Sequence, residues 1–392
     1  IMNQKSIYLD HAATTFPYPE VIEVMKNQLE TAFGNPSSSH ALGRKSKALV
    51  EGARKSIARL MGCQDKEIIF TSCGTEADAW ILQTAVRDLG VARIITSSIE
   101  HQAVIANVED LAKQHITIDY VNYLENGEVS LDHLAHLLAQ SGEKTLVSLM
   151  HVNNEIGNLT PIDQVADICH DNQALFHCDA VQSIGKLPID LSKEKVDFLA
   201  ASAHKFHGPK GVGFAYVRDK HQLKPMILGG EQERGRRAGT ENITLITGME
   251  KALAKKIENQ QNDRTKVLEL KHYFINQLQQ HIPNVVFNGT CLDDTKSADH
   301  IVNIRIPITE TQEGMLLFQM DLKGILCSRG SACQSGAQKT SYVLKEIYPD
   351  EELLPNLRFS FDASNTREEL DYCIEQIKQA VSKNPLKSGA KS

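Results

Sequence analysis

Lys205 stands just past the apolar run "VDFLAAS", in "SAHKFHGPKG", where a strand would deliver it into a turn. A lysine leaving a buried strand loses hydration, its ammonium pKa falls, and the neutral amine can form a Schiff base with a carbonyl. For one lysine taken alone, a solvated loop position is the plainer reading. Asp179 closes another apolar run, "ALFHCD", with Gln182 three residues further on. A carboxylate at a strand's C-terminal edge faces the crevice where α/β sheets bind ligands. Alone it serves as readily as a helix cap. Paired with Lys205 it fits pyridoxal phosphate, whose ring nitrogen an Asp keeps protonated so that the ring becomes an electron sink.

Three further segments carry polar groups at strand ends. In "FTSCGTEADAW" a strand turns into a helix opening near Thr75 and Glu76, and the N–H groups of that start, with the Thr75 hydroxyl, suit a phosphate. "SSIEHQAV" supplies His101, whose ring would lie on a flat cofactor, and "LMHVNNEIG" supplies Asn154. Each also has an ordinary structural reading as a cap or a packed side chain. "GPKGVG" is not a dinucleotide loop, because it precedes a strand, whereas such loops follow a strand and open a helix. Lastly, "SRGSACQSG" sets Cys333 among small residues with Arg329 close by. A free thiol is only a few per cent thiolate at neutral pH, and a cation such as Arg329 or His101 would raise that fraction.

The elements that must hold these residues are legible in the patterning. From about residue 40 to 260, helical stripes such as Leu49, Ala53, Ile57 and Leu60 alternate with short apolar runs, "EIIF", "RIITSS", "KTLVSLM", "ALFHCD" and "VDFLAAS". This predicts an α/β fold, a mostly parallel central sheet flanked by helices. Residues 250 to 281 predict one long polar helix bridging to a second unit. There "VVFNG", "HIVNIRI" and "LRFSF" predict a small sheet, closed by a helix over "REELDYCIEQIKQAV" capped by Asn365 or Thr366. The expected division is a large cofactor-binding domain over 14–258 and a smaller α+β domain of 1–13 with 259–392. The small domain would carry a mobile cysteine loop at about 326–340 and a flexible tail.

Composition narrows the function classes. The 392 residues carry 42 basic against 49 acidic groups, a formal charge of −7, with no long basic block, which argues against a nucleic-acid partner. No apolar run approaches the length of a membrane span. Eight cysteines without CxxC spacing read as free thiols of a reducing compartment, so a cytoplasmic protein is expected.

Taken in order, "YLDHAATT", "FGNPSSSH", "TSCGTEAD", "EHQAV", "HVNNEIG", "HCDAVQSIGK", "SAHKFHGPKG", "ERGRRAGTEN", "SRGSACQSG" and "LRFSF" resemble the cysteine desulfurases of the long-loop group, fold-type I pyridoxal phosphate enzymes of the class V aminotransferase family. The resemblance runs from residue 8 to about 361. It implies that Lys205 holds the cofactor as a Schiff base, Asp179 pairs with its ring nitrogen and Gln182 bonds its phenolic oxygen. Gly74, Thr75, Ser202 and His204 would hold the phosphate, with Thr240 reaching in from the partner of a homodimer. His101 would stack on the ring and move protons, and Asn154 and Arg358 would hold the carboxylate of L-cysteine. Cys333 would accept sulfur as a persulfide and pass it to an acceptor protein, such as an iron–sulfur scaffold or a tRNA-thiolation enzyme. No residue is assigned to a metal.

The chain departs from that pattern at Cys73 in the phosphate turn, at Phe206 and His207 after the lysine, and at Cys327 and Arg329 beside the loop. The short basic tail also differs from the extended C-terminus that docks a scaffold in better-known members. Selenocysteine lyase and an aminotransferase of the same fold are the alternative activities, and a non-catalytic sulfur carrier or regulatory subunit is the alternative of another class. The loop thiol separates a desulfurase from a transaminase, which has no use for a nucleophilic cysteine.

Overall fold

The computed structural model describes residues 6–140, 142–308, 313–330, 341–349 and 355–383. Cys333, most of its loop and the C-terminal tail lie outside the described residues. The chain enters through β1 (Ile7–Tyr8), α1 (Pro19–Thr31) and α2 (Ala41–Met61). It then alternates: β2 (Ile68–Thr71), α3 (Gly74–Leu89), β3 (Arg93–Thr96), α4 (Gln102–Lys113), β4 (Thr117–Tyr120), α5 (Leu131–Ala139), β5 (Thr145–Met150), α6 (Ile162–Asp171) and β6 (Leu175–Asp179). Two strands complete the sheet, β7 (Phe198–Ser202) and β8 (Gly213–Val217).

These form a seven-stranded sheet in the order β2-β8-β7-β6-β5-β3-β4. β4, β3, β5, β6 and β7 run parallel, and β8 is antiparallel to both of its neighbours. Side chains alternate across the pleat, so neighbouring residues serve two cores. Phe70, Ile95, Val147, Phe176 and Leu199 pack under α2, α5 and α6, whereas Ile69, Ile94, Leu146, Phe198 and Ala200 pack under α3 and α4. Burial on both faces is why these strands read as unbroken apolar runs. β4 escapes that pattern because it is the edge strand, half-exposed along "TIDY". The stripe on α2 holds: Ala53 and Ile57 are buried, and Leu49 and Leu60 pack at its margin. α2 stops at Gly62, whose φ of 72° is left-handed and whose Cβ, if present, would stand 2.2 Å from Asp190 Oδ1.

The remaining elements are α7 (Ile243–Glu258), α8 (Gln260–His281), β9 (Val286–Phe287), β10 (Ile301–Arg305), α9 (Glu313–Leu322), β11 (Ile325–Leu326), α10 (Tyr342–Ile347), β12 (Asn356–Ser360) and α11 (Arg367–Lys383). The single long helix expected over 250–281 is two helices broken at Asn259, which caps both. Its side chain donates to the Lys255 carbonyl at 2.9 Å, the local bond with which asparagine competes against a helix. α7 packs with the first core, while α8 contributes Phe274 to another that includes Phe359, Phe361 and Leu370. β9, β10 and β12 make a three-stranded antiparallel sheet there. β1 joins this second core by pairing in parallel with β11. At the start of α11 Thr366 is the cap: its Oγ1 accepts from the Glu369 amide at 3.3 Å, and Glu369 accepts back from the Thr366 amide at 3.2 Å.

Candidate active site

Five loops converge at one end of the large sheet. β2 turns through Cys73 into α3. β3 is followed by His101 at the start of α4. β5 is followed by Asn154, β6 ends on Asp179, and β7 ends on Ser202 before the turn Ala203–Lys205. Together with Arg358 of β12 and the Ala12–Ala13 backbone they line a cavity of about 180 Å³. Gly74, Thr75, His101, Asn154, Asp179, Gln182, Ser202, His204, Lys205 and Arg358 all reach it. Thr240 does not: it is exposed, just before α7. Cys333 lies outside the described residues.

Lys205 Nζ donates to the carbonyls of Ala12 and Ala13, at 2.6 and 2.9 Å. The turn that aims it is tied down by Thr15, whose amide and Oγ1 both donate to the His204 carbonyl at 2.9 Å, and whose Oγ1 accepts from the His207 amide. The departures after the lysine have structural work of their own. Phe206 is fully buried, and His207 sits at a left-handed φ of 64°, stacked on Tyr18 and bonded to Asp362 at 2.9 Å. His207 thereby joins the lysine turn to the residues that follow β12.

Acidic groups gather at one side of the cavity: Asp78 and Asp179 line it, and Glu100 accepts from the amide of Met150, which lines it too. Burial and the neighbouring Asp78 carboxylate push Asp179 up to about 6, with His101 acting the other way. Burial pushes Asp78 up to about 7 and Glu100 well above the usual carboxylate range. Asp179 Oδ1 accepts one bond, from the Val181 amide at 2.9 Å. His101 Nδ1 accepts from the Ala103 amide at 3.1 Å, so Nε2 is the ring nitrogen that carries a proton.

The opposite side is built for anions. Cys73, the residue before α3, makes no side-chain cap, so the first N–H groups of that helix keep no side-chain acceptor. Gly74 is required at this approach, because a Cβ there would stand 2.5 Å from Val181 Cγ2. Ser202 Oγ, buried against the same turn, has no hydrogen-bond partner among the described residues. His204, with Nδ1 3.1 Å from Thr14 Oγ1, is lowered to about 3 by burial and by Lys205, and is neutral.

Arg358 is fully buried. Its Nη1 donates to the Asn154 carbonyl at 2.7 Å and its Nη2 to Asp10 Oδ1 at 2.8 Å, while Nε and Asn154 Oδ1 have no partner among the described residues. Ser328, the first residue of "SRGSACQSG", is bridged to Arg358 through both backbone bonds and donates its hydroxyl to Asp10 Oδ2 at 2.8 Å. Beyond the segment, Ser341 caps α10 and bonds the Glu155 carboxylate, and the Tyr342 hydroxyl bonds the Glu100 carbonyl. Both flanks of the Cys333 segment are thus anchored beside pocket residues. Cys327, the other thiol near this segment, packs against the second core, and burial pushes it up to about 12.

A model of the aminotransferase class-V family matches residues 7–373. The chain belongs to that family. A cysteine desulfurase IscS of Dictyoglomus turgidum is 37% identical over 383 residues, 97% of this chain and 95% of the relative. A solved NifS-like protein superimposes with a TM-score of 0.88 at 32% identity, covering 96% of this chain and 99% of that one. SspA, solved in complex with cysteine, gives 0.77 at 29%, covering 92% and 99%. As a class-V aminotransferase fold of the NifS-like kind, the chain depends on pyridoxal phosphate.

The residues present fit that cofactor. The unpartnered Ser202 hydroxyl and the uncapped start of α3 offer donors to a phosphate. A protonated ring nitrogen is the partner that would keep the buried Asp179 ionised. Reading the sequence missed Asp10, Asp78, Glu100 and the Ala12 carbonyl. Asp10 and Asp78 lie inside the quoted motifs "YLDHAATT" and "TSCGTEAD", but only burial and contacts with distant residues show what they do.

Proposed function

We propose that this chain is a cysteine desulfurase that converts L-cysteine to L-alanine and keeps the sulfur as a persulfide on Cys333. The observation that carries the reading is the union, in one cavity, of the Lys205–Asp179 pair with Arg358, the residue bridged to the first residue of the Cys333 segment.

Bound through Lys205, pyridoxal phosphate supplies an electron sink for bonds at the substrate α-carbon. The chain's own residues do the rest. Arg358 and Asn154 both line the cavity, and Arg358 Nε and Asn154 Oδ1 have no partner among the described residues; the guanidinium takes the substrate carboxylate, and Asn154 orients the substrate beside it. Asp10 and the Asn154 carbonyl hold the fork in place. Lys205 Nζ removes the proton from the substrate α-carbon, and His101 Nε2 moves a proton at the substrate. Asp179 holds the ring nitrogen protonated, Gln182 donates to the phenolic oxygen, and Gly74, Thr75, Ser202 and His204 hold the phosphate. The Cys333 thiolate attacks the substrate sulfur: an S–S bond forms, the Cβ–S bond breaks, and its electron pair stays with carbon. That carbon is protonated, Lys205 returns a proton to the α-carbon, and the product leaves as alanine.

The domain reading is a cofactor unit over 14–258 and a second unit of 1–13 with 259–392, supported by the separate cores and by the β1–β11 pairing. Exposed Phe33 (76%) and Leu228 (81%), with Thr240 outside the cavity, support a homodimer in which the partner's copy completes the phosphate site. The seven described cysteines are free, which supports a cytoplasmic setting. Among the described residues, no helix is long and apolar enough to cross a membrane. Delivery of sulfur to an iron–sulfur scaffold or a tRNA-thiolation enzyme is the expected downstream step.

Mass spectrometry of the holoenzyme after L-cysteine tests the reading. One added sulfur on Cys333, lost in Cys333→Ser together with alanine production, is the expected result. Wild-type turnover in Cys333→Ser would overturn it.

A further inference from the structure

Lys186, four residues after Gln182 in "VQSIGK", is half-buried by area, but its ammonium end lies deep. Its Nζ donates to Gln182 Oε1 at 3.2 Å and stands 2.9 Å from His300 Nε2. Gln182 in turn donates from Nε2 to the Ala12 carbonyl at 2.8 Å, the same oxygen that accepts from Lys205 Nζ at 2.6 Å. His300, Lys186, Gln182, Ala12 and Lys205 are therefore joined in one hydrogen-bonded chain, running from the residue before β10 into the cofactor cavity. The loss of hydration at this depth holds Lys186 well below the usual lysine value, with Lys205 and Lys256 adding repulsion. Lys186 Nζ offers its N–H to Gln182 Oε1, and the approach of His300 Nε2 fixes where the Lys186 nitrogen stands.

A carboxamide presents two ends of similar size and opposite polarity, and its flip is decided by its partners alone. Lys186 offers N–H to one end, and the Ala12 carbonyl offers only an acceptor to the other. A flipped Gln182 would set Oε1 against the Ala12 oxygen and N–H against the Lys186 N–H, losing both bonds.

We infer that Lys186 is a positioning residue: held by His300, it locks the Gln182 carboxamide with its N–H edge toward the cofactor cavity and so fixes the donor offered there. The inference rests on the cofactor reading above and adds to it a residue that does not itself line the cavity. Besides His300, the charged groups acting on Lys186 are Lys205 after β7, Lys256 on α7, Arg358 on β12 and Asp362 after it; of these, only Asp362 favours the ammonium.

The test is a pH titration of the visible band of the reconstituted holoenzyme. A donor on the phenolic oxygen favours the deprotonated form, so its loss moves the midpoint up. Lys186→Met is expected to raise it by about one pH unit, tenfold in the equilibrium. Gln182→Ala is expected to raise it at least as far, and the double variant should match Gln182→Ala, because Lys186 acts through Gln182. An unmoved midpoint in Lys186→Met, or shifts that add in the double variant, overturns the assignment and shows that the Ala12 carbonyl suffices. Should Lys186→Met fail to fold, as judged by thermal unfolding of the apo protein, His300→Phe replaces it; a smaller upward shift supports the assignment, and no shift overturns it. A wild-type protein that gains no visible band on reconstitution instead overturns the cofactor reading itself, so the two failures are distinguishable.

Discussion

Two polar neighbourhoods, one lining the cofactor cavity and one beside it, are under opposite strain. At the Asp179 end, burial and mutual repulsion push carboxyl groups up: Asp179 to about 6, Asp78 to about 7, and Glu100 further. At the Lys186 end, burial and repulsion push basic groups down: His204 to about 3, His11 to about 4, with Lys186 and His300 well below their usual values. Without a ligand each neighbourhood is driven toward neutrality. A ligand with a cationic ring nitrogen relieves the first at Asp179, whereas the second, His204 apart, lines a separate pocket and keeps its groups out of the ligand's reach. Holding charged groups out of water before the ligand arrives is costly, and that cost marks the place as functional.

The largest loss is expected of Asp179→Asn, which leaves the shape and removes the carboxylate. We expect kcat for alanine production to fall by about 10³-fold, measured at saturating L-cysteine and cofactor. At the other side Arg358→Lys keeps the charge and loses the fork; KM for L-cysteine should rise about 10- to 100-fold, with a smaller loss in kcat.

The two neighbourhoods should also give opposite slopes of apo stability against pH. Asp179 has a raised folded pKa, so its contribution is present at low pH and is lost as pH rises from about 4 through about 6. His11 has a lowered folded pKa, so its contribution is present above about 6.5 and is lost as pH falls toward about 4. In denaturant titrations of the apo protein, His11→Gln should leave the carboxylate slope dominant and Asp179→Asn the histidine slope. Each change is on the order of 3 kcal/mol across that window. Parallel slopes in the two variants would end the comparison. The smallest expected effect is that of Cys327→Ser: with its thiol packed away from the cavity, alanine production should stay within about twofold of wild type and the persulfide should remain on Cys333.

Much of this was legible locally. Strands buried on both faces must be apolar throughout, so "ALFHCD" and "VDFLAAS" announced themselves, and the polar residues ending them, Asp179 and Ser202, had to be at the sheet's edge. The edge strand β4 was illegible because half-exposed backbone needs no apolar run. The break at Asn259 was illegible because a polar helix carries no strong stripe to interrupt.

The alternation of elements, the chemical types at the strand ends and, through ten ordered motifs, the family follow from the order of amino acids alone. Only the tertiary structure decided that Arg358 is gripped by Asp10 and by the Asn154 carbonyl, that Lys205 and Gln182 meet on the Ala12 oxygen, and that Lys186 stands behind Gln182. It alone also set the direction of every pKa shift. The reason is physical: periodicity and propensity act over a few neighbouring residues, whereas desolvation and hydrogen-bond partnership depend on what the folded chain brings together from hundreds of residues away.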